Sequence, residues 1–271
     1  MCINNIFNGK NNTLIKYTTG CLLLLLVVAQ PKSLLAKQND NVNTTTINYI
    51  NADTELTASC FLTSSESLIV FLPSVYAPIE EQETLTQEIG GNGLSACISH
   101  VFSDLFLPFE GNSYDDIPLD HMLALFANMQ QQTQKSIFVV AHGRGNRIAY
   151  KLAHLAMQNK KSPAVSGLIL LSPNLLHSTP APGKEQRYMP LLDKKILPVF
   201  IFQPSYSPHH WHLEILIDKI TQSGTKVRFQ RLEGVRDGYA LRENRTEKEQ
   251  ELREQASVLF ERAIKQISER K

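Results

Sequence analysis

The stretch Ile137-Phe138-Val139-Val140-Ala141-His142-Gly143-Arg144-Gly145-Asn146-Arg147-Ile148-Ala149-Tyr150 decides the fold. Ser136 to Ala141 is an apolar run of strand length, with adjacent valines, of the kind that is buried on both faces of a parallel sheet. From Arg147 to Met157 the apolar residues recur at helical spacing. Gly143 and Gly145 lie between them, where little side-chain bulk permits a very sharp turn. The stretch therefore reads as a strand, a tight turn and a helix.

Outward from this unit the same rhythm continues. Gly167–Leu171 reads as a strand ending at Ser172-Pro173-Asn174, and Val199–Phe202 as a strand ending at Gln203-Pro204. Trp211–Ile220 reads as a helix stopped by Gly224, Lys226–Leu232 as a strand, and Glu247–Gln266 as one long amphipathic helix. Toward the N-terminus, Leu119–Gln131 has helical spacing, and Ser95–Phe102 is strand-like behind Gly90, Gly91 and Gly93. Glu55–Leu62 and Ser67–Leu72 are short strands before any helix and fit an antiparallel edge hairpin. Apolar strands alternating with helices imply an α/β fold with a mainly parallel sheet covered by helices on both faces.

The chain begins differently. Lys10 and Lys16 precede an apolar run from Cys21 to Ala29. That is the pattern of a secretory signal peptide, and the run is shorter than the ~20 apolar residues a membrane span needs. Ala29 and Ala36 offer cleavage sites; an uncleaved anchor is the alternative, and would be the only membrane contact. The organisation expected is a signal over 1–36, an Asn- and Thr-rich linker over 37–53 and a single domain over 54–271, with an exported, periplasmic location. Removal of the signal takes Cys2 and Cys21, leaving Cys60 and Cys97 to pair or to stay as buried thiols.

Composition excludes several classes. With 42% hydrophobic and 20% charged residues and a net charge of +1, the chain has no electrostatic footprint for nucleic acid. Nothing in it resembles a coiled coil, a disordered chain or a disulfide-dense scaffold. No cofactor motif is present. His209, His210 and His212 stand before a helix with Glu214, but His-His-Trp-His lacks the spacing of helical metal ligands, so no metal site is read there.

The strand–turn–helix resembles the nucleophile elbow of the α/β-hydrolase superfamily, whose pattern is G-x-S-x-G. The five positions here are Ala141, His142, Gly143, Arg144 and Gly145. The flanking small residues match, but the nucleophile position holds Gly143, which has no side chain. A glycine adopts the elbow's backbone conformation at little steric cost. The helix behind it presents N–H groups that favour an anion, and Arg144 and Arg147 would add positive charge. A tight βα turn in another doubly wound fold is the plainer alternative.

The resemblance implies an acid near Gln203–Ser207, where no carboxylate stands, and a histidine in the loop after the last strand, where Asp237 stands instead. Over roughly Glu55 to Lys265 the chain is most similar to a proteobacterial group of exported hydrolase-like proteins, of unassigned activity, that often lack the nucleophile. Ser172, Cys97 and His100 are the fallback catalytic candidates, with His142 as a second possible base. Ser172 also reads as a turn residue, and Cys97 needs an exposure its strand does not promise. The segment between Ser172 and Val199, with Pro180, Pro182 and Pro190, is too short for a sizeable lid domain.

These readings imply binding of an unidentified ligand or envelope protein without Ser-His-Asp chemistry. An esterase-like hydrolase with a displaced nucleophile is the alternative, and a nucleophile within about 3 Å of a histidine at one cleft would mark it. A third is an envelope scaffold docking through an uncovered stripe on Glu247–Gln266.

Overall fold

Alternation along the central strands builds the sheet and its two cores. The computed structural model describes residues 43–51, 53–158, 164–177 and 186–269, within the unit Ala36–Lys271. The signal segment, with Cys2, Cys21, Ala29 and Ala36, and also Pro180 and Pro182, lie outside the described residues. Among the described residues no helix is long and apolar enough to cross a membrane.

The strands are β1 (Asn43–Asn51), β2 (Thr54–Leu62), β3 (Ser67–Phe71), β4 (Ser95–Ser99), β5 (Ser136–His142), β6 (Gly167–Leu171), β7 (Val199–Tyr206) and β8 (Val227–Arg236). They form one sheet in the order β1-β2-β4-β3-β5-β6-β7-β8. β2 pairs antiparallel with β1 and with β4, and every other pairing is parallel.

Successive side chains of a strand point to opposite faces. Val139 and Ala141, with Leu68, Val70, Leu168 and Ile201, belong to a core completed by α3 (Leu119–Thr133), α4 (Gly145–Gln158) and α5 (Leu213–Gln222). Phe138 and Val140, with Ile69, Phe71, Ile169 and Phe200, belong to the other, under α1 (Ile79–Gly91) and α7 (Ala256–Ser268). Helices therefore cover both faces.

The N-terminal hairpin exists, but its strands are β1 and β2. Asn43–Asn51, read as linker, is a strand because its Thr and Asn side chains suit an edge, with Ile47 buried. Ser67–Phe71, read as half of the hairpin, is instead an interior strand between β4 and β5.

α1 was not legible because its inner face carries Gln82, Thr86 and Gly90 as well as Leu85 and Ile89, which blurs the apolar period. The C-terminal helix is two, α6 (Glu247–Glu254) and α7, broken at Gln255. Before the break Arg253 is buried and bonded to Glu81, Glu88 and the Ala240 carbonyl. After it Leu259, Phe260, Ile264 and Ile267 are buried in the core.

Cys60 and Cys97 face each other on β2 and β4 and form a disulfide, both fully buried. Pairing, left open by the sequence, follows from that register. From β3 the chain passes through α1 to β4 on one side, and from β4 it crosses through α3 to β5 on the other side of β3. In such sheets the crevice lies beyond the carboxyl ends of the strands where the order reverses. The exits of β3 and β5 are therefore where a site belongs.

Candidate functional site at the exits of β3 and β5

The strand, sharp turn and helix expected here are present. β5 ends at His142, Gly143 has φ +58°, and α4 begins at Gly145. Asn146, fully buried, donates through Nδ2 to the carbonyls of Gly143 (2.9 Å) and Leu171 (3.0 Å), tying the turn to the end of β6. A Cβ built on Gly143 would lie 2.7 Å from Cε2 of Tyr76, so the tyrosine ring covers the place a nucleophile would start from. Tyr76 stands edge-on to His142, with ring centroids 6.1 Å apart.

Tyr76 belongs to the loop leaving β3, which is fixed from two sides. Buried Gln82 accepts from the Ser74 amide (2.6 Å) and donates to the carbonyls of Ser74 (2.9 Å) and Ala77 (3.0 Å). The Tyr114 hydroxyl donates to the Pro73 carbonyl (2.7 Å) and accepts from the Val75 amide (3.3 Å). Burial raises the pKa of that hydroxyl, so it stays a neutral donor.

This loop delivers Ser74 to His142. The Ser74 Oγ is 2.8 Å from Nδ1, and Asp237 Oδ1 is 3.0 Å from Nε2. Burial works to raise the pKa of Asp237, but the bond and charge of His142 outweigh it, helped by Ser172 and His209, and the net shift is downward. An ionised carboxylate only accepts, so in the neutral imidazole Nε2–H donates to Asp237 and Nδ1 accepts the Ser74 hydroxyl. A serine, a histidine and an aspartate are thus joined in line. Ser74 is 1% exposed, however, and lines neither cavity flanking Tyr76.

The cavity on the elbow side has a volume of about 550 Å³ and is polar, with His142, Arg144, Asn174, His209, Asp237 and Arg242 in its wall. Arg144 donates to Asn112 Oδ1 (3.3 Å) and packs on Gly111. Burial lowers the pKa of His209 against the opposing pull of Asp237. Behind the rim, Glu249 binds the amide and guanidinium of Arg236 and the Thr246 amide. The Arg236 guanidinium, first among these, brings Glu249 down to about 2.

The structure scatters the fallback candidates. Cys97 is in the disulfide and cannot act as a thiolate. Ser172, at φ +44° and 1% exposed, faces the Asp237 carboxylate without reaching hydrogen-bond geometry, and no histidine bonds it. His100 bonds the Ser59 Oγ through Nε2 (2.8 Å) and lies on the far side of Tyr76. Asp104, which follows it, is bonded instead to the amide (2.6 Å) and hydroxyl of Thr57. Arg147 does not line the polar cavity. Asp237 and His142, by contrast, do meet, at the place expected for a base.

Sequence reasoning missed Ser74, Tyr76 and Gln82. The one available signal was Leu72-Pro73-Ser74, a strand exit that matters only once β3 is known to lie beside β5.

No protein-family model matches the chain, and no curated protein matches it. Solved structures do. The chain is similar to carboxyl esterase 2 of the mycorrhizal fungus Tuber melanosporum, at 12% identity and a TM-score of 0.61, over 86% of this chain and 89% of that one. It is similar to an arylesterase, at 13% identity and a TM-score of 0.59, over 86% and 88%. It is also similar to the esterase Est22, at 10% identity and a TM-score of 0.61, over 81% and 79%. The fold is that of the α/β-hydrolases.

Proposed function

We propose that this α/β-hydrolase-fold protein is exported and acts in the cell envelope by binding, with no nucleophile at its elbow. The observation that carries the reading is Gly143 with the Tyr76 ring lying over it. A ligand entering the polar cavity meets His142, Asp237 and arginine side chains, but no hydroxyl or thiol at the elbow itself. The Cys60–Cys97 disulfide supports an oxidising compartment. Burial of the apolar stripe of α7 argues against a scaffold that docks through that helix.

One observation favours a second reading, hydrolysis by a displaced nucleophile. The serine–histidine distance of 2.8 Å meets the geometric requirement for an activated hydroxyl, and Asp237 orients the ring. Ser74 Oγ would attack an acyl carbon as its proton passes to His142 Nδ1. That proton would leave on the departing alkoxide, and water would then hydrolyse the Ser74 ester. Tyr76 and its loop would first have to move, because Ser74 is buried.

A single measurement separates the readings: intact mass of the protein recovered from the envelope fraction, before and after a fluorophosphonate probe. Binding without catalysis in the envelope gives a mass shortened at the N-terminus, consistent with the disulfide, and unchanged by the probe. A stoichiometric adduct mapped to Ser74 establishes the hydrolase instead. Full-length protein recovered only from the cytosol overturns export.

A further inference from the structure

On the other side of Tyr76 lies a second and larger cavity, of about 840 Å³, that neither reading of the elbow uses. Its walls come from the β3 exit, the first turns of α1, and the segment after β4 that includes α2 (Val101–Asp104). Pro73, Val75, Ile79, Phe102, Leu107 and Phe109 make it mainly apolar. Phe102 and Phe109 pack edge to face with centroids 5.1 Å apart, which fixes one wall. Just outside it Phe106 is 94% exposed with φ +54°, a left-handed conformation that is costly for an aromatic residue. A cavity of several hundred Å³ with aromatic walls and few polar groups is the form of a small-molecule site.

Its charge is one-sided. Glu80 and Glu83 line it, together with His100, and no lysine or arginine does. The carboxylates of α1 divide cleanly. Glu81 and Glu88 are consumed by Arg245 and Arg253, whereas Glu80 and Glu83 have no lysine or arginine in ion-pair reach among the described residues. Glu83 is 3.9 Å from Nδ1 of His100, whose Nε2 is taken by Ser59. Aromatic rings and carboxylates without a lysine or arginine partner around apolar space together favour a cation carried on an apolar body, since ring faces attract cations and carboxylates repel anions.

We propose that this cavity binds a hydrophobic amine, its apolar part among Ile79, Phe102 and Phe109 and its cationic head at Glu80 and Glu83. Tyr76, Ala77 and Pro78 wall both cavities, but Ile79, Glu80, Glu83, Phe102 and Phe109 line this one and not the other, so binding here is read independently of a fluorophosphonate adduct.

Isothermal titration calorimetry of the whole mature protein with octylamine, octanol and octanoate, matched in chain length, tests the assignment. Octylamine is expected to bind at least about tenfold more tightly than octanoate, a difference of about 1.4 kcal/mol. Glu83→Gln should narrow that preference and leave octanol binding unchanged. Ile79→Trp, at a half-buried position on the cavity wall, should abolish binding of all three at an unchanged melting temperature. Octanoate binding as tightly as octylamine would overturn the selection for a cation. Failure of all three to bind the folded protein would overturn the site itself.

Discussion

The two sides of Tyr76 are held together by different physics. The polar side rests on ionised carboxylates: Asp237 on His142, and Glu249 on Arg236 and the cap of α6. The apolar side rests on packing and a covalent bond, with Phe102 against Phe109 and Cys60 joined to Cys97 in the strand pair next to the cavity. Charge–charge support fails when a proton arrives, whereas a disulfide fails only on reduction. The two sides of the crevice should therefore respond separately, one to acidity and the other to reduction.

Cutting the covalent side should have the largest effect. The disulfide closes a separation of 37 residues, and its loss through Cys60→Ala with Cys97→Ala is expected to cost about 2–4 kcal/mol, read by urea unfolding at neutral pH. That cost should be nearly the same at pH 7 and pH 5, because cysteines joined in a disulfide do not titrate. A cost that varies steeply with pH would mean the two sides are not independent.

Glu249→Gln tests the ionic side. The folded pKa of Glu249, about 2, lies below its ordinary value. Its contribution is therefore fully present above the unfolded pKa and is lost as pH falls from there through about 2. The variant should be less stable by about 2 kcal/mol at pH 7, with the gap closing as pH falls below about 4. An unchanged gap at pH 2.5 would show that Glu249 acts by shape alone.

The smallest effect sharpens the boundary itself. Gly143→Ala forces a side chain into a left-handed position and against the Tyr76 ring. The ring is the far end of a flexible side chain, so much of the clash is relieved by swinging it away. Gly143→Ala should cost about 1 kcal/mol in the parent chain and about 0.5 kcal/mol less beside Tyr76→Ala. Strict additivity in that double-mutant cycle would mean the ring does not occupy the nucleophile's place in solution.

Much of this was legible in the sequence where the signal is local. The β5–turn–α4 unit, the glycine at position 143 of its turn and the aspartate after the last strand all follow from runs of a dozen residues. α1 was not legible, because Gln82 spends its polar side chain on the Ser74 loop from a buried face and so breaks the apolar period. The C-terminal helix read as continuous because a buried arginine, Arg253, looks like a solvent-facing one until its carboxylate partners on α1 are known.

Local pattern alone is enough for an α/β chain with strands alternating with helices and for a glycine in the turn after β5. Periodicity and residue identity are short-range properties, and those conclusions need nothing more. Only the tertiary structure decided what surrounds the elbow. Ser74 and Asp237 are 68 and 95 residues from His142 in the chain, and they meet it because β3 lies beside β5 and the loop after the edge strand β8 brings Asp237 to the end of β5. The disulfide needed the β2–β4 register, and the two cavities needed Tyr76 between them. Those contacts depend on strand order, which no local pattern encodes.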